Sequence, residues 1–227
     1  MFGDTDAAGR QVLDLSNLTA DDGIIFVSGI GEPGAFGGFE SNEAAGDING
    51  DGLIDLVFGD ERASDSGSAF VVYGTQNPIG EIGADGRQIV TVSTLTPDQG
   101  FTITTEEGSG FIGFRTGPAG DINNDGFDDF AVVAPFFFDD LTPSPQGSSF
   151  IVFGSEAAPG IGNEDGISVV NLSDFSASTG VRIIGSDPEI NIDAFSISSI
   201  GDFNGDGFDD LLAVSYTHLT LPTILLV

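Results

Sequence analysis

Apolar residues along the chain fall in short runs rich in Val, Ile and Phe, each closed by a cluster of Gly, Asp, Asn or Pro. Runs this short, lacking a 3.6-residue period and bounded by turn formers, predict β-strands. Between residues 113 and 184 the pattern predicts four of them: Gly113 to Ala119, Phe130 to Ala134, Ser149 to Phe153 and Val181 to Ile184. Ala131-Val132-Val133 is apolar without alternation, as expected for a strand buried on both faces. The one helix-like stretch is the Leu13 to Leu18 type of segment that precedes a fourth strand.

The pattern recurs. Val12-Leu13-Asp14-Leu15-Ser16 leading to Gly23-Ile24-Ile25-Phe26 returns as Val90-Thr91-Val92-Ser93 leading to Gly100-Phe101, and again as Val170-Asn171-Leu172-Ser173 leading to Gly180-Val181. Phe70-Val71-Val72-Tyr73-Gly74 is matched by Phe150-Ile151-Val152-Phe153-Gly154, and its tail by Phe2-Gly3. The chain is therefore a unit of about eighty residues, repeated and cut at both ends. Four strands per unit is the count of a propeller blade, and radial stacking buries both blade faces. The expected fold is all-β, a partial β-propeller of four-stranded blades in an incomplete ring. It divides into the second half of a preceding blade (1–30), two blades (31–107 and 108–187) and the start of another (188–213).

Composition narrows the function. With 36 acidic and 5 basic side chains the formal charge is -31, and there is no Lys. Nucleic acid is excluded as a partner, because affinity for phosphate rests on Lys and Arg displacing counterions. Disorder is excluded too: 40% hydrophobic residues, including 20 Phe, supply the apolar surface that folding needs. Without Cys there is no disulfide or thiolate chemistry.

The acids gather in a third recurring element. Asp47-Ile48-Asn49-Gly50-Asp51-Gly52-Leu53-Ile54-Asp55 returns as Asp121-Ile122-Asn123-Asn124-Asp125-Gly126-Phe127-Asp128-Asp129 and as Asp202-Phe203-Asn204-Gly205-Asp206-Gly207-Phe208-Asp209-Asp210. Each has oxygen-bearing side chains at positions 1, 3, 5 and 9, glycine at 6, and at 7 an apolar residue whose carbonyl can turn inward. That donor set suits a hard cation, with the glycine allowing the sharp turn. Two carboxylates ~4 Å apart repel by about 4 kcal/mol at an effective dielectric of ~20, so three in one loop call for a counter-charge. Ca²⁺ is favoured over Mg²⁺, which keeps its waters and takes few protein ligands. For one such loop an exposed Asx-turn is the lesser alternative to the ion; three in register favour the ion further. Asp128 and Asp209 fall outside the ligand positions and are expected to face solvent.

Other calcium modules fit less well. An EF-hand needs Glu at position 12, where Phe58, Val132 and Ala213 stand. A dockerin would space its loops about two dozen residues apart, whereas the first aspartates here are 74 and 81 residues apart. Gly46-Asp47 through Val57 and Gly120-Asp121 through Ala134-Pro135 resemble FG-GAP repeats, the blades of the integrin alpha-subunit β-propeller and its bacterial relatives. Phe36-Gly37 and Ile112-Gly113 sit near the family's Phe-Gly, Ala134-Pro135 matches the end of its Gly-Ala-Pro, and the run from Gly67 to Gly74 matches its third strand. Departures are Gly59-Asp60-Glu61 for Gly-Ala-Pro, Val133 for its Gly, and Asp193-Ala194 for Phe-Gly.

The resemblance implies a calcium-binding propeller on a secreted or cell-surface protein of adhesion or recognition, the ion playing a structural part. Carried over by position, the ligands are Asp47, Asn49, Asp51, the Leu53 carbonyl and Asp55; Asp121, Asn123, Asp125, the Phe127 carbonyl and Asp129; and Asp202, Asn204, Asp206, the Phe208 carbonyl and Asp210. One ion per loop makes three. Expected partners are a protein or glycan ligand and the remaining blades of a parent propeller. No apolar run is long enough to span a membrane; Leu219 to Val227 is nine residues with Pro222 inside.

At the ends, Met1 takes the place of Val72 and Val152, inside an expected strand, so this start says nothing of a signal peptide in a parent protein; an incomplete set of blades is expected to expose a face and to self-associate or be only marginally folded. Residues 214–227, from Val214-Ser215-Tyr216-Thr217-His218, break the repeat and resemble the translated frame of a sequencing-library adaptor, so they are expected to be foreign to the fold.

An enzyme is the competing class, since FG-GAP propellers can be appended to extracellular hydrolases; a structural spacer in a giant adhesin is another. The acids are accounted for by loops and turns, and outside the tail there is no His, Cys or Lys to serve as base or nucleophile. The expectation is a non-catalytic region. Phe136-Phe137-Phe138 is read as packing under a blade edge, with a partner-binding patch as the alternative.

Overall fold

The computed structural model describes residues 4–5, 11–12, 18–30, 38–105, 110–137, 147–162, 166–184, 196–214 and 223–226. Its strands in chain order are β1 (Asp4–Thr5), β2 (Gln11–Val12), β3 (Ile24–Val27), β4 (Ser41–Gly46), β5 (Asp55–Asp60), β6 (Ser68–Val72), β7 (Glu81–Ile82), β8 (Gln88–Thr91) and β9 (Gly100–Thr104). They continue as β10 (Arg115–Gly120), β11 (Asp129–Ala134), β12 (Ser148–Val152), β13 (Ile161–Gly162), β14 (Ser168–Asn171), β15 (Gly180–Ile184), β16 (Ser196–Ser199), β17 (Leu211–Val214) and β18 (Thr223–Leu226).

Two antiparallel blades are complete: β4-β5-β6-β9 and β10-β11-β12-β15. The four strands predicted between 113 and 184 are those of the second blade, displaced by no more than two residues at either end. A third sheet, β16-β17-β18, begins the next blade. The first strands β4, β10 and β16 lie against one another in succession. Ser41 and Thr116 join two of them, the Thr116 N–H donating to Ser41 Oγ at 2.9 Å. The fold is an all-β partial propeller.

Both faces of a blade are buried, which explains the unalternated runs. Phe130, Val132 and Ala134 of β11 point into a core shared with Val57, Val71, Phe101 and Ile103 of the first blade. Ala131 and Val133 point the other way, against Ile197, Leu211 and Ala213 of the third. Such strands have no polar face to give, so the hydrophobic contribution comes from blade-to-blade contact.

The segments before the fourth strands are not helices. Gln88–Thr91 runs parallel to β3, pairing Ile25 with Ile89, and Ser168–Asn171 runs parallel to β9, pairing Ile103 with Val170. Each then closes in a single 3-10 turn, Val92–Thr94 or Leu172–Asp174. Each unit thus lends a strand to the outer edge of the blade before it. The equivalent residues 13–17 lie outside the described residues, as do Phe36-Gly37, Asp193-Ala194 and 215–222. Thr223–Leu226 pairs antiparallel with β17, an open edge that accepts an apolar, β-prone run.

Phe137 is buried, edge-on to Phe150 at 5.1 Å and under the Arg182 guanidinium at 4.9 Å. Phe136 stacks edge-on with Phe111 at 5.2 Å. Phe137 packs against the blade, as expected, while Phe136 is half-buried on the loop residue Phe111; Phe138 lies outside the described residues.

Candidate metal centre

Each acidic nonapeptide is the hairpin between the first and second strands of a blade. In both complete blades the register slips just before it, between Ala44 and Gly46 and between Pro118 and Gly120. A bulge there turns the chain out of the ladder. Positions 4 and 6 both have positive φ: Gly50 (75°) and Gly52 (85°), Asn124 (56°) and Gly126 (95°), Gly205 (79°) and Gly207 (92°). Asn is the non-glycine residue best suited to that conformation, so the Gly/Asn/Gly column at position 4 was a signal that sequence reasoning passed over.

The loops share one hydrogen-bond pattern. In the first, Asp47 Oδ1 accepts from the Asp51 N–H (2.9 Å) and Oδ2 from the Gly52 N–H (2.8 Å), Asn49 Oδ1 accepts from the Asp51 N–H (3.0 Å), and Asp51 Oδ1 from the Leu53 N–H (2.8 Å). The same four contacts span 2.9–3.0 Å in the second loop. In the third, Asp202, Asn204 and Asp206 repeat them at 2.8–3.0 Å. Positions 1, 3 and 5 are thereby held on one side of a compact turn.

Position 9 opens the second strand and differs from the rest by being buried. Asp55 Oδ2 accepts from the Ile48 N–H at 2.8 Å and Oδ1 from the Gly74 N–H at 2.7 Å, tying loop, second strand and the end of the third together. Asp129 does the same with Ile122 (3.0 Å) and Gly154 (2.9 Å). Asp210 takes the Phe203 N–H at 2.8 Å and the Asn204 N–H at 3.2 Å.

Burial pushes the Asp55 carboxyl up to about 6; its two backbone donors oppose this, and the nearby Asp51 and Asp47 charges add to it. Asp129 is pushed to about 7, again chiefly by burial, with Asp125 and Asp121 adding their repulsion. A charge that desolvation and like neighbours disfavour is one that a cation would relieve. The donors of each loop, carboxylates, an amide oxygen and a position-7 carbonyl, are the hard oxygens calcium takes. Among the described residues, no three acidic or histidine side chains converge as a metal-holding group. Positions 1, 3 and 5 turn their oxygens to backbone amides, and position 9 anchors the strand.

Asp128 and Asp209 are half-buried and turn their carboxylates onto the loop before, which corrects the expectation that they simply face solvent. Asp128 Oδ2 accepts from the Asp47 N–H at 2.7 Å, and the Asp128 N–H donates to the Asp47 carbonyl at 3.1 Å. Asp209 repeats this on Asp121, with both contacts at 3.2 Å. Spacing within one loop could not reveal a partner that lies in the loop before.

Residues 114–152 match the FG-GAP repeat family. The chain is also 26% identical over 187 residues to integrin alpha-IIb of Mus musculus, an alignment covering 78% of this chain and 15% of that protein. The match thus spans a small part of the relative's length. Among the described residues, no helix is long and apolar enough to cross a membrane. With blade-forming strands and a hairpin loop at the same place in each repeat, the chain carries an FG-GAP repeat at residues 114–152 and is similar over most of its length to an integrin alpha chain.

Proposed function

We propose that this chain is a calcium-binding stretch of a β-propeller that serves adhesion or recognition at the outer surface of a cell or in a secreted protein, with calcium acting structurally and no catalytic role. The observation that carries the reading is the threefold recurrence of one hydrogen-bonded loop, with oxygen donors at positions 1, 3, 5, 7 and 9, at one place in successive blades. Asp47, Asn49, Asp51, the Leu53 carbonyl and Asp55 would hold the first ion, and their counterparts at 121–129 and 202–210 the second and third. The ion supplies positive charge against the clustered carboxylates.

The chain's own part is to orient those oxygens. The tight turn sets positions 1, 3 and 5, while Asp55 and Asp129 lock the hairpin to the third strand of their own blade. A hairpin locked this way keeps the blade edge in one shape, as a binding surface for a protein or glycan requires. The similarity to an integrin alpha chain supports the extracellular and adhesive setting.

Thermal unfolding in calcium and in chelator tests the reading. A ligand present at about 100 times its Kd adds about 2.7 kcal/mol of stability per site, so the midpoint should rise in millimolar calcium and fall back with chelator. Magnesium at the same concentration should do less. Identical curves in calcium and chelator would refute it.

A further inference from the structure

Asp128 and Asp209 occupy position 8, between two residues that would hold an ion in their own loop, yet their carboxylates are spent on the loop before. Asp128 takes the Asp47 N–H and Asp209 the Asp121 N–H, each with a return bond from its own N–H to the same residue's carbonyl. The recipient is each time the position-1 aspartate. The preceding glycine makes room: a Cβ on Gly46 would overlap the Asp128 carboxylate, and one on Gly120 that of Asp209. Further contacts run the same way, with Ser155 N–H donating to the Ile48 carbonyl at 2.9 Å and the Phe127 ring lying over Gly50.

We propose that Asp128 and Asp209 are positioning residues that couple the cation loops in series, so that an ion in one loop strengthens ion binding in the loop before it. The coupling rests on the calcium reading above. An ion in the second loop would fix the Phe127 carbonyl and Asp129, the neighbours of Asp128 on either side. Asp128 is then set to hold the backbone of Asp47 and, with it, the aim of that first ligand. The third loop acts on the second through Asp209 in the same way. Linkage makes the effect reciprocal: an ion in the first loop strengthens binding in the second by the same factor. Ile54, at position 8 of the first loop, carries no carboxylate, and the relay ends there on that side among the described loops.

The test is calcium titration of the isotope-labelled full chain by NMR, with the position-6 amides of Gly52, Gly126 and Gly207 reporting on each loop separately. Amide exchange at Asp47 and Asp121 is measured alongside in chelator. Asp128→Ala should lower calcium affinity at Gly52 by about tenfold, within the range of couplings carried by the outer partners of metal ligands and between allosteric sites, and change it far less at Gly207. It should also speed exchange of the Asp47 amide in chelator. Asp128→Asn, which keeps an acceptor oxygen, should restore most of both.

The decisive variant is Asp125→Ala, which leaves the clamp in place but removes a ligand of the second loop: it should weaken calcium at Gly52 by several-fold. Should Asp128→Ala fail to fold, Asp209→Ala read at Gly126 and Asp121 puts the same question to the next pair. Normal affinity at Gly52 in both Asp128→Ala and Asp125→Ala overturns the coupling while leaving the calcium reading intact. No calcium-induced shift at any of the three glycines overturns both.

Discussion

The loops at 47–55 and 202–210 share their oxygen columns, their turns and the four hydrogen bonds made by positions 1, 3 and 5, but differ in surroundings and in what position 9 holds. Position 2 of the first, Ile48, is 0% exposed, while its counterpart Phe203 is 67% exposed. Ile48 is covered because its carbonyl receives the Ser155 amide and its side chain joins the core between the first two blades. Local sequence thus suffices to make the loop, and the following blade makes it buried. Burial is also what raises the Asp55 and Asp129 carboxyls, so the loops enclosed by neighbours should gain most from an ion.

Cutting the strand anchors should show the contrast at its largest. Asp129→Ala leaves the Ile122 and Gly154 amides without an acceptor in a buried site, and at about 1–3 kcal/mol for each unsatisfied group a loss of about 3 kcal/mol is expected. Asp210→Ala exposes amides of a loop that is largely solvated, and should cost about 1 kcal/mol. Urea unfolding of the two variants in chelator compares them, and equal losses would break the contrast.

The glycines before the loops offer a finer version. Gly46→Ala and Gly120→Ala combine a left-handed φ (94° and 71°) with overlap of a clamping carboxylate. Gly201→Ala has a similar φ of 67° with nothing within 4 Å. The first two should cost about 2–3 kcal/mol and the last about 1 kcal/mol, the backbone penalty alone, again by urea unfolding.

Acid should sharpen the picture in the absence of calcium. Asp55 and Asp129 bind protons more tightly when folded, at about 6 and about 7, than at the ordinary 3.8. Between those values the folded state holds more protons than the unfolded one, so their contribution to stability grows as pH falls from about 7 toward 4 and is lost as pH rises. Chelator-treated protein should therefore unfold at a higher urea midpoint near pH 5 than near pH 7.5, and Asp129→Asn should flatten that dependence. Calcium should remove it by favouring the charged form.

The smallest effect belongs to Tyr73, whose buried hydroxyl has no hydrogen-bond partner among the described residues; burial and the Asp55 charge push its phenol upward. The second blade has Phe153 at the same place. Tyr73→Phe should be neutral or stabilising by up to about 1 kcal/mol, checked by the thermal midpoint.

Strand positions and the turn-forming loops with their oxygen columns were legible because both are local: apolar runs between turn formers, and oxygen side chains at fixed offsets about a glycine. Contacts between units were not. Gln88–Thr91 looks like a helix start within its own unit, and its strand character comes from pairing with β3 of the blade before. Asp128 and Asp209 looked solvent-facing because their partners, Asp47 and Asp121, stand a whole repeat away. In a propeller each blade is finished by its neighbour, so what a sequence hides is the inter-blade half of the structure.

The central claim is that these loops hold calcium. Isothermal calorimetry of the chelator-stripped chain titrated with calcium tests it most directly. About three ions should bind per chain, one for each loop, falling by about one in a variant with Asp121 and Asp125 both changed to Ala. Absence of binding heat, or a stoichiometry that the double substitution leaves unchanged, would contradict it.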